Sequence, residues 1–198
     1  MFIAVILHVK SVAYVRLEEK YGQDKGVRIG KIYGTISGIM EFTASLGLWL
    51  SSQPRFTIPT LSNLSITVLN FSTPILHLIV SLPLILFGAW IALKGVKAIT
   101  FKVAETHCAP KRLETSGVYS IVRHPQYFGW VLTHFGMSLL LSAWYSLLFT
   151  PISAALIYLI AKKEEEGLIS KFGEKYKDYQ KKVPMLIPSL AKIRAEKQ

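Results

Sequence analysis

Apolar residues fall in long blocks along this chain, and the charged residues gather between them. A helix that crosses a bilayer needs about 20 mostly apolar residues, with a range of about 17–25. Five stretches are candidates. The first, Met1 to about Val15, is short and carries His8 and Lys10. The second runs from about Ile32 to Leu50, and the third from about Pro74 to Leu93 with Pro83 as an expected kink. The fourth and fifth share the stretch from Tyr127 to about Ala161, which turns near Ser142–Trp144 or shortly after, before Pro151. The last segment, Lys163 to about Lys182, is charged and helix-prone. Phe172, Tyr176 and Tyr179 recur in it at helical spacing, so it reads as an amphipathic helix. It either lies on the membrane surface or caps a cytoplasmic site.

This pattern predicts an all-α integral membrane fold. It has about five transmembrane helices, the last two forming a helical hairpin, and a C-terminal amphipathic cytoplasmic helix. Residues 1–198 read as one membrane domain, with the first three spans in 1–93 and a catalytic half in 94–198. Met1–Val9 is apolar, with no basic stretch before it and no small-residue cleavage site after it, so it reads as the start of a span rather than a signal peptide. Gly30, Gly34 and Gly38 give small-xxx-small spacings suited to close helix packing in the second span.

Composition agrees with the pattern. Hydrophobic residues make up 51% and charged residues 18% of the chain, the mean hydropathy is +0.38, and the net charge is +11. A nucleic-acid binder with this charge would carry far less Leu and Ile, so no nucleic-acid partner is expected; membrane lipid is. The single cysteine, Cys108, excludes an intrachain disulfide and a cysteine-based zinc site, and no metal is expected. The loop from Arg16 to Lys31, the loop from Lys94 to Arg123 and the tail from Lys162 are rich in Lys and Arg, whereas Ser51–Thr73 has only Arg55. The positive-inside rule then puts the N-terminus outside and the C-terminus in the cytoplasm. The membrane is the cell membrane in a prokaryote or the endoplasmic reticulum in a eukaryote.

Two clusters carry candidate chemistry. Thr115-Ser116-Gly117 is a turn, and Pro125 suits the first turn of the fourth span. Arg123 and His124 therefore stand at the membrane boundary beside a helix N-terminus. Glu164-Glu165-Glu166 lies where the fifth span leaves the bilayer, and the hairpin returns it beside Arg123-His124. Carboxylates facing an Arg/His pair make a polar pocket for a ligand carrying both charges. Glu41 lies roughly 13 Å into the second span at 1.5 Å per residue. A carboxylate at that depth takes a partner, with His8 and Lys10 at comparable depth, or lines a substrate cavity. His134 in the fourth span is a second candidate for substrate binding.

The stretch Leu113-x-Thr115-Ser116-Gly117-Val118-Tyr119, then Arg123-His124-Pro125-x-Tyr127-x-Gly129, is followed by Glu164-Glu165, Leu168, Phe172-Gly173, Tyr176, Tyr179 and Val183-Pro184. Together these blocks resemble the isoprenylcysteine carboxyl methyltransferase family, a wider group that includes phospholipid N-methyltransferases. The resemblance implies an S-adenosylmethionine-dependent methyltransferase with a lipidic or prenylated acceptor that enters sideways from the bilayer. It implies a cofactor held at the cytoplasmic face by Leu113, Tyr119, Arg123, His124, Pro125, Tyr127, Glu164 and Glu165. No Gly-rich strand-to-helix loop of the Rossmann type is present.

The sequence departs from the family's pattern at two positions. Lys111 stands where the family often has His, and Ile160 stands where prenylcysteine enzymes have an Arg for the substrate carboxylate. The second departure weighs against a carboxylate acceptor, because Lys162 or Lys163 nearby is no bidentate fork. A carboxylate nucleophile needs no base, whereas an amine must lose a proton, for which His124, His134 or Glu165 are candidates. Alternatives are a phospholipid-amine N-methyltransferase, a protein related to membrane sterol reductases, and a non-enzymatic membrane subunit.

Overall fold

The computed structural model describes residues 2–57, 64–68, 71–99 and 112–189. Cys108 and Lys111 lie outside them. In chain order the helices are α1 (Phe2–Val12), α2 (Tyr14–Tyr21), α3 (Gln23–Leu50), α4 (Ile75–Ile99), α5 (Val118–Ile121), α6 (Pro125–Leu140), α7 (Trp144–Phe172) and α8 (Glu174–Lys182). Between α3 and α4 lies an antiparallel ribbon, β1 (Ser65–Val68) with β2 (Phe71–Pro74), pairing Ser65 with Pro74 and Val68 with Phe71. The fold is therefore mostly helical, and the ribbon corrects the expectation of helices alone.

Two helices, α4 and α7, are long and apolar enough to cross a membrane. Only 22% of the most apolar stretch of α4 and 33% of that of α7 are buried. Leu82, Leu86, Phe87, Trp90 and Leu93 face outward from α4. A core helix of a soluble protein would bury such residues; here lipid is the medium that suits them. Helix α1 spans 11 residues, about 16 Å at 1.5 Å per residue, which is short of a bilayer. The expected first span breaks at Ala13, just after Ser11 Oγ donates back to the His8 carbonyl at 2.7 Å. Such back-bonding by Ser competes with the helical ladder.

The expected hairpin is present: α6 and α7 are joined by a turn at Leu141–Ala143. Pro151 lies inside α7 instead of bounding it. Residues 53–56 strap this turn. Trp144 N–H donates to the Pro54 carbonyl, Phe56 N–H donates to the Ser142 carbonyl, and Gln53 Oε1 accepts from the N–H groups of Tyr145 and Ser146. Gln53 thus satisfies two of the four donors that a helix N-terminus leaves open. At the opposite end α7 runs on past Glu164–Glu166 to Phe172, so the segment expected as one helix over Lys163–Lys182 is two. Gly173, at φ +56, reverses the chain between α7 and α8, a backbone state that favours glycine.

The tightest helix pairing is α4 against α6, through glycines. A Cβ at Gly88 would stand 2.7 Å from the Gly129 carbonyl oxygen and from Thr133 Oγ1. One at Gly136 would stand 2.7 Å from Ile85 Cγ1, and one at Gly95 would stand 2.9 Å from Pro125 Cγ. In α3, Gly30 and Gly34 are buried as the spacing suggested, but Gly38 is exposed with nothing within 4 Å of an added Cβ. The small-residue seam that matters most for the hairpin is therefore Gly88–Gly129. Gly88→Ala and Gly129→Ala are each expected to destabilise the protein by about 1–3 kcal/mol, the usual cost of overpacking. Gly38→Ala should leave stability unchanged or raise it. Thermal unfolding in detergent measures all three; equal midpoints for Gly129→Ala and Gly38→Ala would contradict this packing.

Candidate active site

The end of the bundle opposite the Leu141–Ala143 turn gathers α5, the start of α6, the end of α7, α8 and the strand-like tail at 183–185. Pro125 opens α6 at its first position, where a missing N–H costs nothing. That placement fixes Arg123 and His124 just before the helix. Their backbone N–H groups donate to the carbonyls of Pro184 and Met185 at 2.9 and 3.1 Å, so the tail is pinned beneath them. Arg123 reaches under α7: Nε donates to Glu165 Oε1 at 2.6 Å and Nη2 to Glu165 Oε2 at 3.1 Å. Its Nη1 donates to the carbonyls of Gln180, at 3.1 Å, and Val183. Gln180 Nε2 donates to Glu165 Oε2 at 2.6 Å. The Arg123 and Glu165 side chains are both buried.

His124 joins the two carboxylates. Its Nε2 lies 3.2 Å from Glu165 Oε1 and its Nδ1 lies 3.6 Å from Glu164 Oε2. Its ring stacks on Tyr127 at 5.4 Å and 10°. The Tyr127 hydroxyl lies 2.9 Å from Glu164 Oε2 and 3.3 Å from His8 Nε2. His8 Nδ1 lies 2.8 Å from Glu41 Oε1. Of the two partners that depth offered Glu41, the structure selects His8; Lys10 instead stands over the Tyr33 ring.

Tyr119 lies in a small core with Ile91, Val118 and Val122, and its carbonyl accepts from the Tyr179 hydroxyl at 2.5 Å. Leu113 packs on a second core of Leu168, Tyr176, Tyr179 and Val183. The aromatic stripe of the C-terminal segment therefore faces protein and closes the site end. Burial pushes the phenols of Tyr119, Tyr176 and Tyr179 well above their ordinary range, so each remains a hydroxyl donor. Seven of the eight residues expected around a cofactor meet at this end in contact with one another or with these two cores; the eighth, Pro125, packs against Gly95.

His134 does not join them. It lies ten residues along α6 from His124, about 15 Å at 1.5 Å per residue. There its ring packs on Trp49 and Phe149, and its Nε2 faces the Ser146 carbonyl. Glu166 points away from the site and pairs with Lys163. Ile160 is buried in α7 and brings no cation. Three contributors were not legible as site residues. Gln180 and the Val183 carbonyl complete the Arg123 shell, and only the Val183-Pro184 stop marked that stretch. Tyr14, whose hydroxyl is buried with no partner among the described residues, packs on Gly167 one turn below Glu164.

S-adenosylmethionine is positively charged at sulfur and at its amino group and carries a carboxylate and an adenine ring. The half-exposed Glu164, the stacked His124–Tyr127 pair and the unpartnered Tyr14 hydroxyl fit such a ligand: an anion and aromatic faces for its cations, and a donor for its acceptor atoms. Among the described residues no group of three or more His, Cys, Asp or Glu side chains has the geometry of a metal site.

A family model described as phospholipid methyltransferase matches residues 76–175, just over half of the chain. The chain is 33% identical over 98 residues to a methanethiol S-methyltransferase of Crocosphaera subtropica, covering 50% of this chain and 38% of that protein. It is 40% identical over 85 residues to a protein-S-isoprenylcysteine O-methyltransferase of Xenopus laevis, covering 42% of this chain and 30% of that one. A protein of the same description from Schizosaccharomyces pombe is 40% identical over 77 residues, covering 38% and 33%. The matched stretch thus spans about a third of each of these relatives.

Breaking a buried ion pair by removing one partner costs about 3–5 kcal/mol, because the other charge is left uncompensated. Arg123→Gln and Glu165→Gln should each lower stability by an amount of that order. The double variant should lose clearly less than the sum, since contacting partners couple. Unfolding in mild detergent checks this, and strictly additive losses would mean that the two side chains do not meet.

Proposed function

The chain belongs to the phospholipid methyltransferase family, and on that premise we propose that it is an integral membrane methyltransferase using S-adenosylmethionine at the cytoplasmic end of its bundle. The observation that carries this reading is the convergence of Arg123-His124-Pro125 with Glu164-Glu165 across the α6–α7 hairpin. When bound, the cofactor supplies a methyl group on a positively charged sulfur. Tyr119, His124, Pro125, Tyr127 and Glu164 are the proposed contacts, with Leu113 in the strip before them. Glu164 offers the anionic partner, and the His124–Tyr127 stack offers a flat wall. Arg123 and Glu165 act one step back: they hold His124 and the tail in place. Residues 1–93 carry the N-terminal spans, and residues 94–198 form the cofactor-binding catalytic half. A cytoplasmic C-terminus places this basic end inside, in keeping with the loop charges.

The acceptor is a lipidic or small apolar molecule that reaches the site from the bilayer. The arrangement favours a thiol or an amine over a carboxylate. Arg123 spends its fork on Glu165 and on the carbonyls of Gln180 and Val183, and buried Ile160 provides no second guanidinium. A carboxylate acceptor would therefore meet Glu164 and Glu41 without the bidentate partner that suits it. The naming of one relative as a methanethiol S-methyltransferase agrees with a thiol.

Methyl transfer by the purified protein to a long-chain thiol, a phosphatidylethanolamine and a prenylcysteine tests the acceptor class. Transfer to the thiol or the amine is expected; transfer to the prenylcysteine carboxylate alone would contradict the assignment. Calorimetry with S-adenosylhomocysteine tests the cofactor site. His124→Ala and Glu164→Ala should each weaken binding by about 1–3 kcal/mol, the scale of a lost hydrogen bond to a charged group. Unchanged affinity in both would remove them from the site.

A further inference from the structure

Glu41, His8, Tyr127 and Glu164 form one unbroken polar chain through α3, α1, α6 and α7, with successive separations of 2.8, 3.3 and 2.9 Å. Its three contacts demand three protons when both carboxylates are ionised, since a carboxylate only accepts. A phenol and a neutral imidazole bring two; a phenol and an imidazolium bring three. The state of His8 therefore decides where Tyr127 points. With His8 neutral and its Nδ1–H on Glu41, the bare Nε2 takes the Tyr127 O–H, and Glu164 loses that donor. With His8 doubly protonated, Nε2–H donates to the Tyr127 oxygen, Tyr127 donates to Glu164, and every contact is made.

We propose that this chain is the proton acceptor for methylation of a thiol or amine, with His8 as the terminal site. The inference rests on the acceptor class assigned above. In the neutral-His8 state the Tyr127 oxygen is free to accept the S–H or N–H proton of the acceptor while its own proton passes to His8 Nε2. One new bond joins the acceptor sulfur or nitrogen to the methyl carbon, and one bond, methyl carbon to cofactor sulfur, breaks with its electron pair left on that sulfur. The acceptor's proton is balanced by the proton gained at His8. The product state is the one with all three hydrogen bonds in place. Glu41 holds the tautomer, as an orienting carboxylate does for a histidine base. Tyr127 touches the reacting proton; His8 and Glu41 act through it and are positioning residues. The titratable groups facing His8 in the described contacts are Glu41 from α3, Tyr127 from α6 and, beyond it, Glu164 from α7; Lys10 on its own helix sits over Tyr33.

The test uses His8→Gln, which keeps the size and a hydrogen bond but not the basicity. With a thiol acceptor, kcat should fall by about 10²–10⁴-fold, the range of general-base catalysis. KM and S-adenosylhomocysteine affinity should change less than twofold. The acidic limb of the wild-type pH–kcat profile should vanish. A loss confined to KM or to thermal stability, or a retained acidic limb at normal kcat, overturns the proposal. A readout independent of turnover is ¹⁵N-histidine magnetic resonance of the ligand-free protein in micelles. The ring signals missing in His8→Gln should show Nδ1 protonated throughout and Nε2 bare at alkaline pH, with Glu41→Gln releasing that tautomer. His8 protonated at Nε2 alone at alkaline pH overturns the relay even if no acceptor is turned over, whereas failure of the wild type with all acceptors, with the expected tautomer seen, strikes the acceptor assignment instead.

Discussion

The buried Arg123–Glu165 pair is the contact on which the site end depends. A guanidinium presents five donors in a fixed fork; four of the contacts made here use that fork, two on one carboxylate and two on the carbonyls of residues 180 and 183. One side chain thus ties the entry to α6, the exit of α7 and the tail after α8. A lysine, a single point charge on a flexible stem, offers no such three-way junction. The pair also leaves His124 with a carboxylate on each ring nitrogen, which fixes its orientation. The charge balance differs along the site: Arg123 is matched by Glu165, whereas Glu164 and Glu41 have only histidine and tyrosine partners and no guanidinium.

The two ends of the bundle are built differently for physical reasons. At the turn end, backbone donors and acceptors are closed off by short straps such as Gln53 on the start of α7, and by Thr73 and His77 on the α6–α7 turn. Between the ends, α4 and α6 approach through glycines, and their lipid-facing sides are left apolar. Where lipid tails are as apolar as the helices and give no hydrophobic driving force for association, close packing of small residues supplies it. At the site end ionic side chains join the entry to α6 with the exit of α7, and Tyr176 and Tyr179 pack with Leu168 and Val183. Rigidity at the seam and polarity at one end together give a fixed place for charge chemistry at a membrane boundary.

Much of this was legible in the sequence. The hairpin turn at Ser142–Trp144, the start of α6 at Pro125, and the return of Glu164–Glu165 to Arg123-His124 follow from apolar block length and one proline. Depth narrowed the partner of Glu41 to His8 or Lys10, because α1 and α3 pack side by side across the short α2, and only the structure chose His8. Other features were hidden. Gly88, Gly129 and Gly136 look like ordinary glycines until two helices are laid together, whereas the small-xxx-small spacing points to Gly38, which is exposed. The break at Ala13 has no glycine or proline to announce it. Tail carbonyls that serve Arg123 carry no side-chain signature, because any residue supplies a carbonyl. His134 looked equivalent to Glu41 as a polar residue in a span, yet its ring is packed among Trp49 and Phe149.

The most direct measurement is an experimental structure of the protein with S-adenosylhomocysteine bound. The ligand should lie at the α5–α6 junction and the α7 exit, within hydrogen-bond reach of His124 or Glu164 and bounded by Tyr119 and Tyr127, with the Arg123–Glu165 pair intact behind it. A ligand seated instead in the cleft between α2 and α7 lined by Arg16, Glu19, Lys163 and Glu166, with no contact to His124, Tyr127 or Glu164, would contradict the assignment of the site.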